Sequence, residues 1–284
     1  MRILVLGASG MLGNAVMRIF VQDPGTCVFG TVRSASSAKF FDADLAPQFI
    51  PHIDVERFED LIAAMNIARP DVIINCIGVV KQLSDANDPL VALPINSLLP
   101  HRLARLAAVG GARLIHMSTD CVFSGNKGLY TEDDAPDAYD LYGRSKLLGE
   151  VDYPNAITLR TSIIGHELAG SRSLLNWFLA QEGEVKGFGK AIFSGLPTVE
   201  MARIIRDYVI PNAGLSGVYH VSAAPIDKLA LLQLIAQTYN KTITIIPSDD
   251  LVIDRSLDSS RFHAATGYSP LPWPALVAEM ESFR

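Results

Sequence analysis

As far as Gly165, short apolar runs alternate with longer stretches of helical period. Ile3, Leu4, Val5 and Leu6 form a run with no polar position. After it, Met11, Leu12, Ala15, Val16, Ile19 and Phe20 are spaced to share one helical face. The same pattern predicts strands over 27–32, 71–77, 113–117 and 156–163. Between them it predicts helices over 57–68, stopping before Pro70, over 94–109, and starting near Tyr142. Strands that are apolar on both sides and separated by helices imply a parallel, doubly wound α/β sheet.

After Gly165 the rhythm loosens. Helices are expected over 173–180, 199–208 and 226–239, strands over 218–222 and 242–246, and then a polar segment ending at Trp273. The expected division is a dinucleotide-binding domain over 1–164, with 192–222 returning to it. A smaller C-terminal α/β lobe over 165–191 and 223–284 would bind substrate.

Composition narrows the function classes. Of 284 residues, 49% are apolar and 19% charged, which suits a globular chain with a sizeable core. A net charge of -6 argues against a nucleic-acid partner, and no apolar stretch reaches the length of a membrane span. Cys27, Cys76 and Cys121 are odd in number and lack CxxC spacing; the six histidines form no HxxxH pair. Neither a disulfide framework nor a metal site is expected. The chain opens on a strand-like run without a leader pattern, so a reducing cytoplasm is the expected compartment.

Candidate chemistry begins at Gly7-Ala8-Ser9-Gly10-Met11-Leu12-Gly13, between the first strand and first helix. Glycines there permit positive φ and a close approach of backbone to a pyrophosphate, which the helix N-terminus attracts. The spacing is GxxGxxG, whereas the usual dehydrogenase fingerprint is GxGxxG. Glycines alone could serve a packing turn; placed after the first strand, they point to the phosphate-binding turn of a Rossmann-type domain. Arg33 follows the second strand, where a carboxylate would bind ribose hydroxyls and an arginine a 2′-phosphate. With Lys39 nearby it favours NADP, with NAD the alternative. Asp54 and Val55, ahead of the next helix, are placed against adenine, although Asp54 as a simple helix cap would look the same.

Tyr142 and Lys146 stand four residues apart, on one face of a helix, so the ammonium can stabilise a phenolate for proton transfer. Ser118-Thr119-Asp120 ends a central strand, where open α/β sheets bind ligands, and a hydroxyl there can hold a carbonyl oxygen.

Together these features resemble the extended short-chain dehydrogenase/reductase superfamily across essentially the whole chain. The nearest likeness is to the dTDP-4-dehydrorhamnose reductases. Ser118-Thr119-Asp120-Cys121-Val122-Phe123-Ser124-Gly125 resembles their STDYVFxG segment, with Cys121 in place of tyrosine. The resemblance implies Thr119 as catalytic hydroxyl, Tyr142 as proton donor and Lys146 as the residue that binds nicotinamide ribose and tunes Tyr142. It sets Cys76, Ile77 and Gly78, after Asn75, beside the cofactor. The implied reaction is hydride delivery to C4 of a 4-keto-6-deoxy sugar joined to a nucleoside diphosphate. Cys121 and the Asn75-to-Gly78 segment depart from the pattern, so UDP or GDP could replace dTDP and the sugar could carry an acetamido group.

Bland readings stand beside the sharp ones. Cys121 and Cys76 read as packed side chains with no histidine base. Lys81 faces substrate phosphate or solvent, and Arg255 holds a diphosphate or a structural ion pair. Asn176 and Trp177 fall in a stretch assigned to substrate, although Trp177 reads slightly better as core. The same residues would serve an epimerase or dehydratase with tightly held NAD. They would also serve a non-catalytic binding subunit, since a regulatory subunit of methionine adenosyltransferase resembles this reductase family. A homodimer is a family-level expectation.

Overall fold

The computed structural model describes residues 1–41, 48–79 and 87–284. Its first strand is β1 (Arg2–Leu6), in which Ile3 to Leu6 are at most 1% exposed, as the uninterrupted apolar run requires. The glycine turn leads into α1 (Met11–Phe20), then β2 (Cys27–Thr31), β3 (Phe49–Ile50) and α2 (Phe58–Ala68). Arg69 ends α2 in the left-handed region, because the residue before Pro70 is barred from continuing the helix. β4 (Val72–Asn75) follows, and then α3 (Pro89–Ala92), capped by the Asp88 carboxylate accepting from the Leu90 N–H.

The single helix expected over 94–109 is corrected. Leu93–Leu98 is π-helical and only Leu99–Val109, α4, is regular. Pro94 has no N–H for the ladder and its ring crowds the preceding turn, so the coil widens by one residue there. β5 (Arg113–Thr119) and α5 (Leu141–Leu148), capped by Asp140, lead to β6 (Ala156–Thr161). The strand expected over 156–163 breaks at Ser162, whose carbonyl accepts the Leu196 N–H, and Ile163–Ile164 becomes β7 in a different sheet.

The second half is richer than its sequence pattern. It runs through α6 (Leu174–Ala180), β8 (Glu184–Phe188), β9 (Ala191–Phe193), β10 (Leu196–Pro197) and α7 (Thr198–Ile204), with a π-helical turn at Ile205–Val209. β11 (Gly217–His220), β12 (Ile226–Asp227), α8 (Lys228–Thr238), β13 (Thr244–Ser248) and β14 (Ile253–Asp254) follow. The supposed polar tail is instead α9 (Ser260–Thr266) and α10 (Trp273–Ser282). Trp273 starts a helix because Pro274 sits in its first turn, where a missing N–H costs nothing.

Seven strands form one sheet in the order β11-β6-β5-β4-β1-β2-β3. The pairs β1–β2, β1–β4, β2–β3 and β4–β5 are parallel. The order β3-β2-β1-β4-β5-β6 is that of a Rossmann sheet, reversing between β1 and β4. Leu4, Leu6, Ile73 and Leu114 pack with Leu61 and Ala64 of α2 and Leu99 and Leu103 of α4. On the opposite face α1 lies close enough that a Cβ on Gly30 would meet Met17 Sδ at 2.9 Å. The sheet is thus covered on both sides.

The chain divides into two compact units. Unit 1 is Met1–Ser118, Tyr139–Leu159 and Ala213–Val218; unit 2 is Thr119–Ala138, Arg160–Asn212 and Tyr219–Arg284. Unit 2 contains a small sheet ordered β12-β9-β14, with β12 antiparallel and β14 parallel to β9. It also holds the tight loop after Val122, where the Tyr130 hydroxyl oxygen accepts the backbone N–H groups of Gly125, Asn126 and Lys127.

Candidate functional site

In unit 1 the loop after β1 and the chain leaving β4 meet at the point where strand order reverses. Such a point is where open α/β sheets leave a crevice for ligands. Gly7 adopts φ 81°, and a Cβ on it would strike Ile77 Cγ1 at 2.8 Å. Gly13 sits directly on the loop: a Cβ there would lie 2.1 Å from the Gly7 carbonyl oxygen. Ser9 and Gly10 are exposed at the loop tip, Met11 is partly exposed, and Leu12 is buried beneath it. Gly10 is the N-cap of α1 and provides no side-chain cap, and the first turn carries no acidic residue. Uncapped N–H groups, the positive dipole end and a floor without side chains suit a pyrophosphate. The residues present therefore fit a dinucleotide.

The strand end after β4 is fixed from below. The Asn75 side-chain oxygen accepts the Ile77 N–H at 3.1 Å, so its amide nitrogen faces Nδ1 of the buried His116, also at 3.1 Å. Burial pushes the His116 imidazole well below its usual range, which leaves Nδ1 an acceptor and the proton on Nε2. Beyond it, Asn96 in the π-helical turn accepts the Val79 N–H and donates to the Val79 carbonyl and to Ser145 Oγ. Asn96 thereby ties the strand end to α5. Sequence pattern did not single it out; the available signal was a lone amide just after a proline inside an apolar helix.

Tyr142 and Lys146 both lie on α5, as their spacing predicts. Tyr142 is partly exposed and Lys146 is buried, its Nζ donating to the Met117 carbonyl at 2.7 Å. The same Nζ is 3.9 Å from where a Gly78 Cβ would stand. Burial lowers the Lys146 ammonium to about 8, opposed by the Glu150 carboxylate and the Cys76 sulfur. Glu150 is held in turn by the Ser118 hydroxyl at 2.7 Å. Burial also raises the Cys76 thiol to about 12, which makes it a neutral wall.

The Lys146 shift has a consequence for stability. Its folded pKa lies below the unfolded one, so between pH 8 and 10.5 the unfolded chain binds the extra proton and stability rises with pH. Relative to Lys146→Met, the wild-type protein should gain about 1 kcal/mol between pH 7 and pH 9 in urea denaturation. A pH-independent difference would contradict this burial of charge.

Arg33 is exposed just beyond β2 and makes no hydrogen bond or ion pair among the described residues. Lys39 lies over the Phe40 ring. Asp54 is not the cap of α2, whose N-cap is Arg57; its carboxylate accepts the Glu56 N–H in a local turn. Val55 packs partly against the core. Lys81 lies outside the described residues.

Unit 2 opens with Thr119, the chain neighbour of Ser118. The Thr119 hydroxyl donates to Asp120 at 3.1 Å and accepts the Cys121 N–H at 3.1 Å. Its one proton is therefore engaged and must turn away from Asp120 to serve another oxygen. Arg255 donates from Nε to the Phe123 carbonyl at 2.7 Å and approaches Cys121 Sγ with Nη1 at 3.7 Å. Burial pushes the Asp120 carboxyl up, against the pull of Arg255 and the hydrogen bond from Thr119. Burial and the Asp120 charge raise the Cys121 thiol to about 12, which removes it as a nucleophile. Lys228 belongs to this cluster and was not legible in the sequence.

Asn176 and Trp177 lie on α6. Asn176 braces the preceding loop, accepting from the Glu167 N–H and donating to the Gly170 carbonyl. The reading of Trp177 as core is corrected: it is 37% exposed, because α6 buries Leu175 and Phe178 on its other side. Among the described residues no group of three or more His, Cys, Asp or Glu side chains could hold a metal ion. No described helix is long and apolar enough to cross a membrane.

Residues 1–249 match the family described as the RmlD substrate binding domain. The chain is 29% identical over 239 residues to the probable low-salt glycan biosynthesis reductase Agl14 of Haloferax volcanii, covering 77% of this chain and 73% of that protein. It is 29% identical over 265 residues to methionine adenosyltransferase 2 subunit beta of Danio rerio, covering 88% and 76%. A solved dTDP-4-dehydrorhamnose reductase from Bacillus anthracis str. Ames, in complex with NADP, superposes with a TM-score of 0.79. That match covers 100% and 99% of the two chains at 20% identity, so it speaks for the fold. With its Rossmann strand order, its glycine turn and the pairing of Tyr142 with Lys146 on α5, this chain belongs to the RmlD substrate binding domain family, within the extended short-chain dehydrogenase/reductases.

Proposed function

We propose that this chain is an NADPH-dependent reductase of a nucleotide-linked 4-keto-6-deoxy sugar, acting in glycan biosynthesis. The observation that carries the reading is the buried Lys146 ammonium beside Gly78, on the helix that presents Tyr142. The Haloferax volcanii relative, a probable glycan biosynthesis reductase, supports the same class.

In this reading unit 1 binds the dinucleotide and unit 2 is the substrate lobe. Gly7 to Gly13 hold the pyrophosphate, Cys76 to Gly78 border the nicotinamide, and Asp54 and Val55 border the adenine. The bound nicotinamide supplies the hydride for C4 of the sugar. Lys146 binds the nicotinamide ribose, and its positive charge lowers the cost of deprotonating Tyr142. Tyr142 gives its proton to the oxygen that was the ketone. Thr119 holds that oxygen once its hydroxyl has turned from Asp120. No thiol takes part, since both neighbouring cysteines are held protonated.

Arg33, exposed and without a partner among the described residues, suits a 2′-phosphate. Arg33→Ala should weaken NADPH binding about tenfold or more and leave NADH nearly unchanged, as measured by nucleotide fluorescence titration. Equal effects on both would point to NAD as the natural cofactor.

Turnover tests the proposal: NADPH should be oxidised in the presence of one of the dTDP-, UDP- or GDP-linked 4-keto-6-deoxy sugars. NAD that copurifies and survives dialysis, with no oxidation, would favour an epimerase or dehydratase. A second reading rests on the match to methionine adenosyltransferase 2 subunit beta, a subunit of another enzyme. On that reading the chain binds NADP without turnover and none of the ketosugars is reduced.

A further inference from the structure

The chain that leaves α5 is fixed residue by residue. Gly149, the cap of the helix, lies so close to the π-helical turn that a Cβ on it would collide with the Asn96 carbonyl oxygen. Val151 is held by one hydroxyl on both its polar groups: its N–H donates to Thr158 Oγ1 at 2.9 Å, and its carbonyl accepts that hydroxyl at 2.8 Å. Glu150 stands between these two anchors. Its own carboxylate accepts the Ser118 hydroxyl at 2.7 Å.

Two consecutive residues of β5 thus hold two residues of one helix end. The Met117 carbonyl takes the Lys146 ammonium at 2.7 Å, and Ser118 takes Glu150. Glu150 follows Lys146 by four residues. The Gly149 and Glu150 N–H groups donate to the Lys146 and Leu147 carbonyls, both at 3.1 Å, so the helical turn runs on through them. Side chains three and four apart on such a turn are neighbours. The carboxylate is therefore placed beside the ammonium by the backbone and by the strand end together.

Ser118 is 6% exposed and Lys146 4%. An ammonium that has lost its water needs an opposite charge nearby to stay an ammonium. The titratable groups that face Lys146 from the elements around it are Cys76 at the end of β4, His116 on β5 and Tyr142 on α5 itself. Cys76 is held as a thiol and His116 as a neutral imidazole, so neither supplies that charge. Glu150 supplies it.

We propose that Ser118 and Glu150 are a positioning pair for the reduction: Ser118 fixes the Glu150 carboxylate at the end of α5, and the carboxylate keeps Lys146 charged for its work on the nicotinamide ribose and Tyr142. The proposal rests on the reductase reading above and adds to it two residues that act through Lys146. Without the carboxylate the ammonium gives up its proton at lower pH. A neutral Lys146 no longer lowers the cost of deprotonating Tyr142.

The test reads Lys146 directly. In protein carrying isotope-labelled lysine, the Lys146 side-chain resonance, assigned by its absence from Lys146→Met, is followed against pH by NMR. The proteins compared are wild type, Glu150→Gln, Ser118→Ala and Ser118→Thr. The wild-type midpoint is expected at about 8. Glu150→Gln, which keeps the shape and the acceptor but not the charge, should lower it by about one pH unit or more. Ser118→Ala should lower it less, and Ser118→Thr should restore it. In turnover, the alkaline limb of kcat/KM should move to lower pH with the midpoint in Glu150→Gln, while the rate on the acid side of that limb stays near that of wild type. An unchanged midpoint in Glu150→Gln, with an unchanged thermal melt, would overturn the proposal. So would a lowered midpoint with an alkaline limb that stays in place. If Glu150→Gln does not fold, Ser118→Ala reads the same midpoint with the carboxylate present but released, and no change there overturns the proposal. If wild type reduces none of the ketosugars, the reductase reading fails, and the midpoint alone decides whether the pair holds Lys146 charged.

Discussion

Tyr142→Phe should lower kcat by about 10²–10⁴-fold, the usual contribution of a positioned general acid, while the protein folds and binds NADPH as before. The substitution removes one oxygen from a partly exposed ring on α5. The helix keeps its Asp140 cap, and Lys146 keeps its bond to the Met117 carbonyl. A loss of turnover with unchanged NADPH binding and an unchanged thermal melt can be assigned to the missing proton. A solvent isotope effect on kcat that vanishes in the variant would confirm the assignment. Near wild-type turnover in Tyr142→Phe would move the proton donor elsewhere. If the chain is a binding subunit, neither protein turns over and the substitution changes nothing measurable.

The second large effect is expected at Gly13. A methyl group at this position would sit 2.1 Å from the Gly7 carbonyl oxygen and 2.8 Å from its carbon, both rigid backbone. Gly7 is itself fixed in a tight turn, with a φ of 81° that few residues adopt and an N–H that donates to Thr31 Oγ1. Gly13→Ala must therefore shift α1 away from the loop. The expected cost is about 1–3 kcal/mol of stability in chemical denaturation, as for other overpacked sites. Affinity for NADPH should fall further than stability, since the displaced helix no longer aims its N-terminus at the pyrophosphate. Wild-type affinity in Gly13→Ala would mean that the dinucleotide lies elsewhere. Ser9→Ala, at the exposed loop tip, is the matched control and should change neither quantity greatly.

The first half of the fold was legible because its strands are buried on both faces. Ile3 to Leu6 and Ile73 with Ile74 leave no room for another reading. The second half hid because its strands are as short as two residues, too few for a period to show: β7, β10, β12 and β14 are all of this kind. α9 buries only Phe262 and so looked like polar loop. α10 starts at Trp273, where the expected polar segment ended, and Pro274 in its first turn is favourable to a helix start. In the candidate site, spacing alone placed Tyr142 with Lys146 and the glycines at the strand-to-helix turn. Spacing could not find Asn96 or Lys228, because each meets its neighbours through contacts distant in sequence: Val79 and Ser145 for Asn96, Asp120 and Arg255 for Lys228. Nor could it decide the lean of Trp177 towards core, or whether Asp54 caps α2, because the facing of a side chain depends on packing that one segment does not encode.

The central claim is hydride transfer to a sugar carbon, and isotope transfer tests it most directly. NADPH deuterated at the nicotinamide C4, one diastereomer at a time, would be incubated with the enzyme and dTDP-, UDP- or GDP-linked 4-keto-6-deoxy sugar. The product would then be read by mass spectrometry and NMR. The account predicts one deuterium at C4 of the sugar from one diastereomer only, with matching oxidation of NADPH. Bound NADPH that transfers no label to any of these sugars would contradict it.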